Sequence, residues 1–306
     1  MIGYIRWLSL RVPFIGTRLR RWQAASELIE RLEPGDYYSP IASDQEISLH
    51  ARVDFAPGRT IQRSELQMRG ICLDPDTQVK LLKQFEEAGY FKLEWMNRYS
   101  KNEFFHSMDA IVLHSMISRY RPRRIIEIGS GFSTLAILDS LDANSLHETK
   151  PLLIEPFPER LLENVGAEDS DRFELRRRPL ATGDLTEIQS LKANDLLIVD
   201  SSHIYKIGSD VQLLFEHMIP VLSEGVVVHF HDVFFPFDYP ASWLLRGHHY
   251  NEAYVLRSFL QFNQCFEILL WNDLMKHLSD TDVPTTVLQP QDQIACSFWL
   301  RRTAND

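Results

Sequence analysis

The chain has little cysteine and no surplus of positive charge, and each shortage removes a class of function. Three cysteines, Cys72, Cys265 and Cys296, stand far apart in 306 residues. They make no CxxC pair and no metal-ligand spacing, so a disulfide framework and a zinc ribbon are both excluded. Reduced thiols in a cytoplasmic protein are expected. The net charge is −10, with 42 acidic against 32 basic residues. A nucleic-acid backbone needs a basic face, so no nucleic-acid partner is expected. No apolar run is long enough to span a membrane. The first residues, MIGYIRWLSLRVPFIGTRLRRW, are basic and aromatic but broken by Pro13 and Gly16. They also lack a signal-peptide core and cleavage site. A helix packing on the domain or on a second subunit is expected of them, without stable membrane insertion, and residues 17–33 read as helical. No internal repeat or low-complexity segment is present.

What the chain does have is concentrated after residue 105. Residues 1–105 read as a mainly helical and loop extension, a lid, substrate wall or oligomer contact. Residues 43–70 show no strong period. Asp74-Pro75-Asp76 is a helix start leading into Val79, Leu81, Leu82 and Phe85. Asn97–Phe105 is polar and aromatic, and Ser107 is placed to cap a helix carrying Ile111, Leu113 and Ile117.

From Ile125, strands alternate with helices, which implies a mostly parallel sheet covered on both faces. Strands are predicted at Ile125–Ile128, Leu152–Glu155, Phe173–Arg177, Asp195–Asp200, Val226–Phe230, Phe266–Trp271 and Ile294–Leu300. Helices are predicted at Gly208–Val221 and Ala253–Phe262.

The first strand runs into Gly129-Ser130-Gly131 and then a helix. That strand–turn–helix brings backbone N–H groups to a nucleotide. Glu127 would face a phosphate unfavourably but can accept from an amine or hydroxyl. A phosphate-free charged nucleoside such as S-adenosylmethionine therefore fits better than a dinucleotide. An NAD(P)-dependent oxidoreductase is the competing reading, but Thr134 occupies the last position of G-x-G-x-x-G. A binding-only protein, or a related fold with other chemistry, is the third.

Glu155 ends the second strand, where a carboxylate can take both ribose hydroxyls. Pro179, Leu180 and Thr182 follow the third, a position suited to adenine. Asp200-Ser201-Ser202-His203 ends the fourth strand and His231-Asp232 the fifth. Two carboxylates on adjacent strand ends suit Mg²⁺ or another divalent cation. His231 is placed to ligate a softer metal or donate to substrate. The pleat is expected to turn His229 to the face opposite His231, as a packing residue. Val233–Trp243, long and aromatic, is expected to wall the acceptor site, with Asp238, Tyr239 and Trp243 as contacts.

The pattern Glu127, Gly129, Gly131, Ser133 resembles the first motif of class I S-adenosylmethionine-dependent methyltransferases, with serine at the third glycine. The resemblance implies a Rossmann-like seven-stranded sheet whose last strand is antiparallel. It also implies cofactor contacts from Glu127, Gly129, Ser130, Gly131, Ser133 and Glu155. Asp200-x-x-His203 with His231-Asp232 resembles macrocin-type sugar O-methyltransferases. That resemblance makes His203 the general base and Asp200 and Asp232 metal ligands. Val233 stands where catechol-type enzymes carry an amide, so the third protein ligand is left unassigned. The implied acceptor is a hydroxyl of a small molecule or glycan.

Overall fold

β1 (Ile125–Ile128) is buried at every residue, as a central parallel strand made of Ile-Ile-Glu-Ile requires. A computed structural model builds the sheet outward from it and describes residues 26, 32–50, 60–100, 102–279, 283–284 and 294–304. The basic N-terminal run and nearly all of the expected helix over 17–33 lie outside the described residues.

The other strands are β2 (Leu152–Ile154), β3 (Glu174–Arg176), β4 (Leu196–Val199), β5 (Val227–Phe230), β6 (Phe266–Trp271) and β7 (Phe298–Arg302). Their order is β3-β2-β1-β4-β5-β7-β6. The first five run parallel, while β7 inserts antiparallel to both β5 and β6. This is the Rossmann-like seven-stranded sheet with an antiparallel last strand that the motif resemblance implies. The last strand begins four residues later than Ile294, because 294–297 do not join the sheet's regular pairing.

Among the helices are α1 (Asp44–His50), α2 (Pro75–Glu87), α3 (Ser107–Tyr120), α4 (Phe132–Ala143), α5 (Asp210–Leu213), α6 (Ala241–Leu244), α7 (Glu252–Leu260) and α8 (Asn272–His277). Asp74 caps α2 by accepting from Thr77 N at 3.2 Å, with Pro75 at the first helical position. The continuous helix expected over Gly208–Val221 is instead a short α-helix, a π-turn over Leu214–Met218 and a 3₁₀ turn over Ile219–Val221. Pro220 within that last turn removes a donor and ends regular pairing.

Two compact units are present. In the smaller, residues 32–50 group with Tyr239–His249, and α1 lies beside α6. The larger takes in residues 60–238 and everything described from Tyr250 onward, so α2 and α3 belong with the sheet. The core of the larger unit is the sheet's own apolar run, with Leu82, Phe85, Met108, Ile111, Trp271 and Trp299 among its buried side chains. Among the described residues no helix is long and apolar enough to cross a membrane.

Candidate active site

The register places the carboxyl ends of four strands along one edge. Gly129 N donates to Ile154 O at 3.1 Å, Glu155 N to Arg176 O at 3.1 Å, Asp200 N to Ile128 O at 2.8 Å, and His231 N to Val199 O at 2.9 Å. This edge, at the switch in strand order between β1 and β4, is where open α/β sheets bind ligands.

Gly129 has φ +84°, and a Cβ there would lie 1.9 Å from the Asp200 carbonyl oxygen. Only glycine permits that approach, so the turn after β1 and the residue ending β4 are in direct contact. Ser130 N donates to Glu155 Oε2 at 3.0 Å, and Phe157 N donates to Oε1 at 2.6 Å. Ser130 Oγ is buried without a hydrogen-bond partner. An orphaned hydroxyl beside a carboxylate at a strand end fits a nucleoside bearing hydroxyls and an amine.

Glu127 has a different local environment from the one expected. It is fully buried and accepts from Ser133 Oγ and Thr134 Oγ1, both at 2.6 Å. Burial pushes its carboxyl up to about 8, although both hydroxyl bonds pull it down. α4 starts at Phe132 after Gly131, and the Ser133 hydroxyl turns back to Glu127. The residue at the third glycine position therefore satisfies a buried acid.

Asp200, His203 and Asp232 each offer a ligand atom, all within 4.8 Å of one another. His203 Nε2 lies 3.4 Å from both Asp200 Oδ1 and Asp232 Oδ2. His203 Nδ1 is 2.8 Å from Glu252 Oε2, and an ionised carboxylate only accepts, so Nδ1 carries the proton. Burial would lower the His203 pKa, but hydrogen bonds to Asp200 and Glu252, with the charges of Glu252 and Asp232, raise it well above the ordinary value. Asp200 is held below the usual carboxylate range. Its burial opposes this, and the His203 bond and nearby histidine charges prevail. His203 and Asp232 both adopt left-handed φ, +57° and +58°. Such conformations in non-glycine residues cluster at functional sites.

His231 is not part of that group. It belongs to a second, fully buried cluster with Asp109 and Cys296. Its Nε2 lies 3.3 Å from Phe104 O and 3.5 Å from Cys296 Sγ. His229 also departs from expectation. Its ring lies 5.6 Å from that of His231, on the same face, because side chains two apart on a strand share a face. It packs against Trp299 at 4.6 Å and pairs with Ser297 Oγ at 2.9 Å.

In the segment after Asp232, Phe234, Phe235, Phe237 and Tyr239 are all buried. Phe235 and Phe237 pack on Trp271, at 5.3 and 4.5 Å. Asp238 ends a stretch of the larger unit, while Tyr239 and Trp243 belong to the smaller, their rings 6.5 Å apart. Asn97–Phe105 is pinned by Asp139, whose Oδ2 accepts from the backbone N–H of Asn97, Arg98 and Tyr99 at 2.8–2.9 Å. It places Phe104 against Phe132, the first residue of α4, at 6.0 Å.

Two residues, one behind the site and one in the buried cluster beside it, carried no motif in the sequence. Glu252 is 49 positions from His203 with no recognisable motif. Asp109 sits on α3 with an acidic first turn as its only mark.

Residues 126–233 match the family model described as a methyltransferase domain. An uncharacterized protein of Archaeoglobus fulgidus is 30% identical over 170 residues, covering 53% of this chain and 74% of that protein. The chain belongs to the S-adenosylmethionine-dependent methyltransferase family. A second relative, the uncharacterized protein y4gI of Sinorhizobium fredii, is 31% identical over 151 residues, 44% of this chain but only 16% of that much longer protein. Among solved structures, the O-methyltransferase TomG from Streptomyces achromogenes, in complex with SAM, matches at 15% identity and TM-score 0.42, covering 76% of this chain and 92% of that one. A putative O-methyltransferase from Klebsiella pneumoniae matches at 15% identity and TM-score 0.43, covering 76% and 91%. At that degree of likeness nothing about the acceptor follows. For this methyltransferase the oxidoreductase alternative falls away, since the matched domain spans the glycine turn and both acidic strand ends.

Proposed function

We propose that this methyltransferase transfers the methyl group of S-adenosylmethionine to a hydroxyl of a small molecule or sugar, with divalent-metal assistance and His203 as general base. One observation carries the reading. The glycine turn touches the Asp200 backbone, so the donor turn and the Asp200–His203–Asp232 cluster share one edge. The donor's amine and ribose fall to Ser130, Gly129, Gly131 and Glu155. Glu127 and Ser133 act through each other, by fixing the turn. Asp200 and Asp232 fit a hard cation, with two carboxylates at adjacent strand ends. Bound there, a divalent cation would acidify an acceptor hydroxyl and draw off negative charge that keeps His203 protonated.

The residues of the chain do the rest. The two aspartates would hold the cation beside the acceptor oxygen, and Nε2 of neutral His203 takes the hydroxyl proton. The oxygen–methyl bond forms as the methyl–sulfur bond breaks, and neutral S-adenosylhomocysteine leaves. Assignment of Asp238, Tyr239 and Trp243 to the acceptor, of the extension to a lid or oligomer contact, and of the protein to the cytoplasm rests on the sequence.

The test uses labelled S-adenosylmethionine and a panel of catechols, flavonoids and hexoses, with Mg²⁺ or with EDTA. His203→Ala should keep donor binding by calorimetry and lower transfer by about 10²–10⁴-fold. Undiminished transfer in His203→Ala would exclude it as the base. Transfer indifferent to EDTA would remove the metal.

A further inference from the structure

Glu252 is 1% exposed, which is costly for a carboxylate unless it is paired. It opens α7, where the helix dipole favours an anion. Yet its carboxylate caps nothing on that helix. Oε2 meets His203 Nδ1 at 2.8 Å, and Oε1 accepts from Ser201 Oγ at 3.0 Å. Both oxygens are spent on the turn after β4. That turn is tied to α7 by backbone bonds as well. The N–H groups of Asn251 and Glu252 donate to His203 O at 3.1 and 3.2 Å, and His203 N donates to Ser201 Oγ at 3.1 Å. These bonds hold His203 at φ +57°. The Tyr250 ring, 5.1 Å from the imidazole, limits its rotation.

We propose that Glu252 is a positioning residue for His203, fixing the proton on Nδ1 so that Nε2 faces Asp200 and Asp232. An imidazole has two nitrogens, and without a fixed acceptor the single proton of its neutral form can sit on either. A buried carboxylate on Nδ1 removes that choice and the ring flip together, as in other carboxylate–histidine pairs. The role rests on the reading of His203 as the base. Ser201 completes the arrangement by holding the second carboxylate oxygen.

The experiment uses the full-length chain labelled with [¹⁵N]histidine. The wild type should show a far-downfield Nδ1–H proton that is absent from His203→Ala and lost or strongly shifted in Glu252→Gln. On whichever member of the hydroxyl panel the wild type methylates, Glu252→Gln should lower kcat on the order of 100-fold with KM for S-adenosylmethionine unchanged. Glu252→Asp should recover part of that loss. Ser201→Ala leaves the ring contact in place and guards against a folding defect, and it should give a smaller fall of the same kind. Wild-type kcat in Glu252→Gln beside an inactive His203→Ala would remove the positioning role alone. An unmoved Nδ1–H signal would do the same. Full transfer by His203→Ala would remove the base reading and the positioning role with it.

Discussion

The end of β5 serves two acid–histidine clusters, and neighbouring residues enter different ones. Asp232 joins Asp200 and His203, while His231 joins Asp109 and Cys296. The residue types are alike, but the settings differ. In the first cluster the Asp200 and Asp232 side chains keep 36% and 17% of their surface open. In the second everything is buried, and Asp109 Oδ1 accepts from Asn272 Nδ2 at 2.8 Å and Ser297 N at 2.9 Å while Oδ2 accepts from Cys296 N at 3.2 Å. Burial would raise the Asp109 pKa, but the charges of His231 and His106 and the bonds from Ser297 hold it below the ordinary range. His231 is raised in turn, its burial outweighed by Asp232, Asp200 and Asp109. In one cluster the acid is satisfied by buried hydrogen-bond donors; in the other the carboxylates have acceptor capacity left over. Chemistry requires the second property, which composition alone does not show.

The sharpest break between them is functional. Asp232→Ala should abolish transfer or make it indifferent to added metal, and Mn²⁺ binding followed by electron paramagnetic resonance should weaken in parallel. Transfer that stays metal-dependent in Asp232→Ala would move the cation elsewhere. Asp109→Ala should act on the fold instead. Removing the carboxylate leaves three buried donors unpaired, each costing about 1–3 kcal/mol, so the melting temperature should fall on the order of 10 °C. Mn²⁺ affinity of the protein that remains folded should be unchanged. A large loss of affinity without a loss of stability would reverse the assignment of the two clusters.

The sheet was legible because its strands are short apolar runs ended by glycine or acid. β1 and β6 fall where periodicity puts them, and the other predicted strands differ only at their ends. The edge residues Gly129, Glu155, Asp200 and Asp232 were legible for the same reason, since a strand end is a sequence feature. Glu252 was not, because its meeting with His203 depends on how the chain returns 49 residues later. The division of His231 from Asp232 was also hidden. Alternation along a strand separates neighbours but does not say which face is sealed. The same rule, applied at a spacing of two, puts His229 beside His231. Burial and the adjacent His231 charge hold the His229 pKa down to about 3, so that ring stays neutral.

A third contrast lies between Glu127 and the aspartates, since Glu127 is the acid raised rather than lowered. Its ordinary value is 4.5 and burial takes it to about 8 in the folded protein. Between those two pH values the unfolded chain has released this proton and the folded chain has kept it. The unfolded state therefore binds fewer protons, and this group makes stability fall as pH rises through that window. Glu127→Gln keeps the shape and removes the titration. It should match the wild type near pH 4.5 and exceed it by roughly 4 kcal/mol at pH 8. Denaturation at a series of pH values measures this, and parallel curves for the two proteins would show that Glu127 is charged.

The smallest effect is expected where the clusters touch. Cys296 Sγ donates to Asp232 Oδ1 at 3.2 Å while lying 3.5 Å from His231 Nε2. Burial, then the charges of Asp109 and Asp232, raise its pKa well above the ordinary value, so it stays a thiol. A neutral donor can trim the acceptor capacity of Asp232 but cannot replace its charge. Cys296→Ser keeps the donor and the approximate volume and should cost about 1 kcal/mol or less, with Mn²⁺ affinity unchanged. Cys296→Ala frees Asp232 Oδ1 and should tighten Mn²⁺ binding slightly while losing about 1 kcal/mol of stability to the small cavity. Weaker Mn²⁺ binding in Cys296→Ala would mean that the thiol positions Asp232, and that the two clusters work as one.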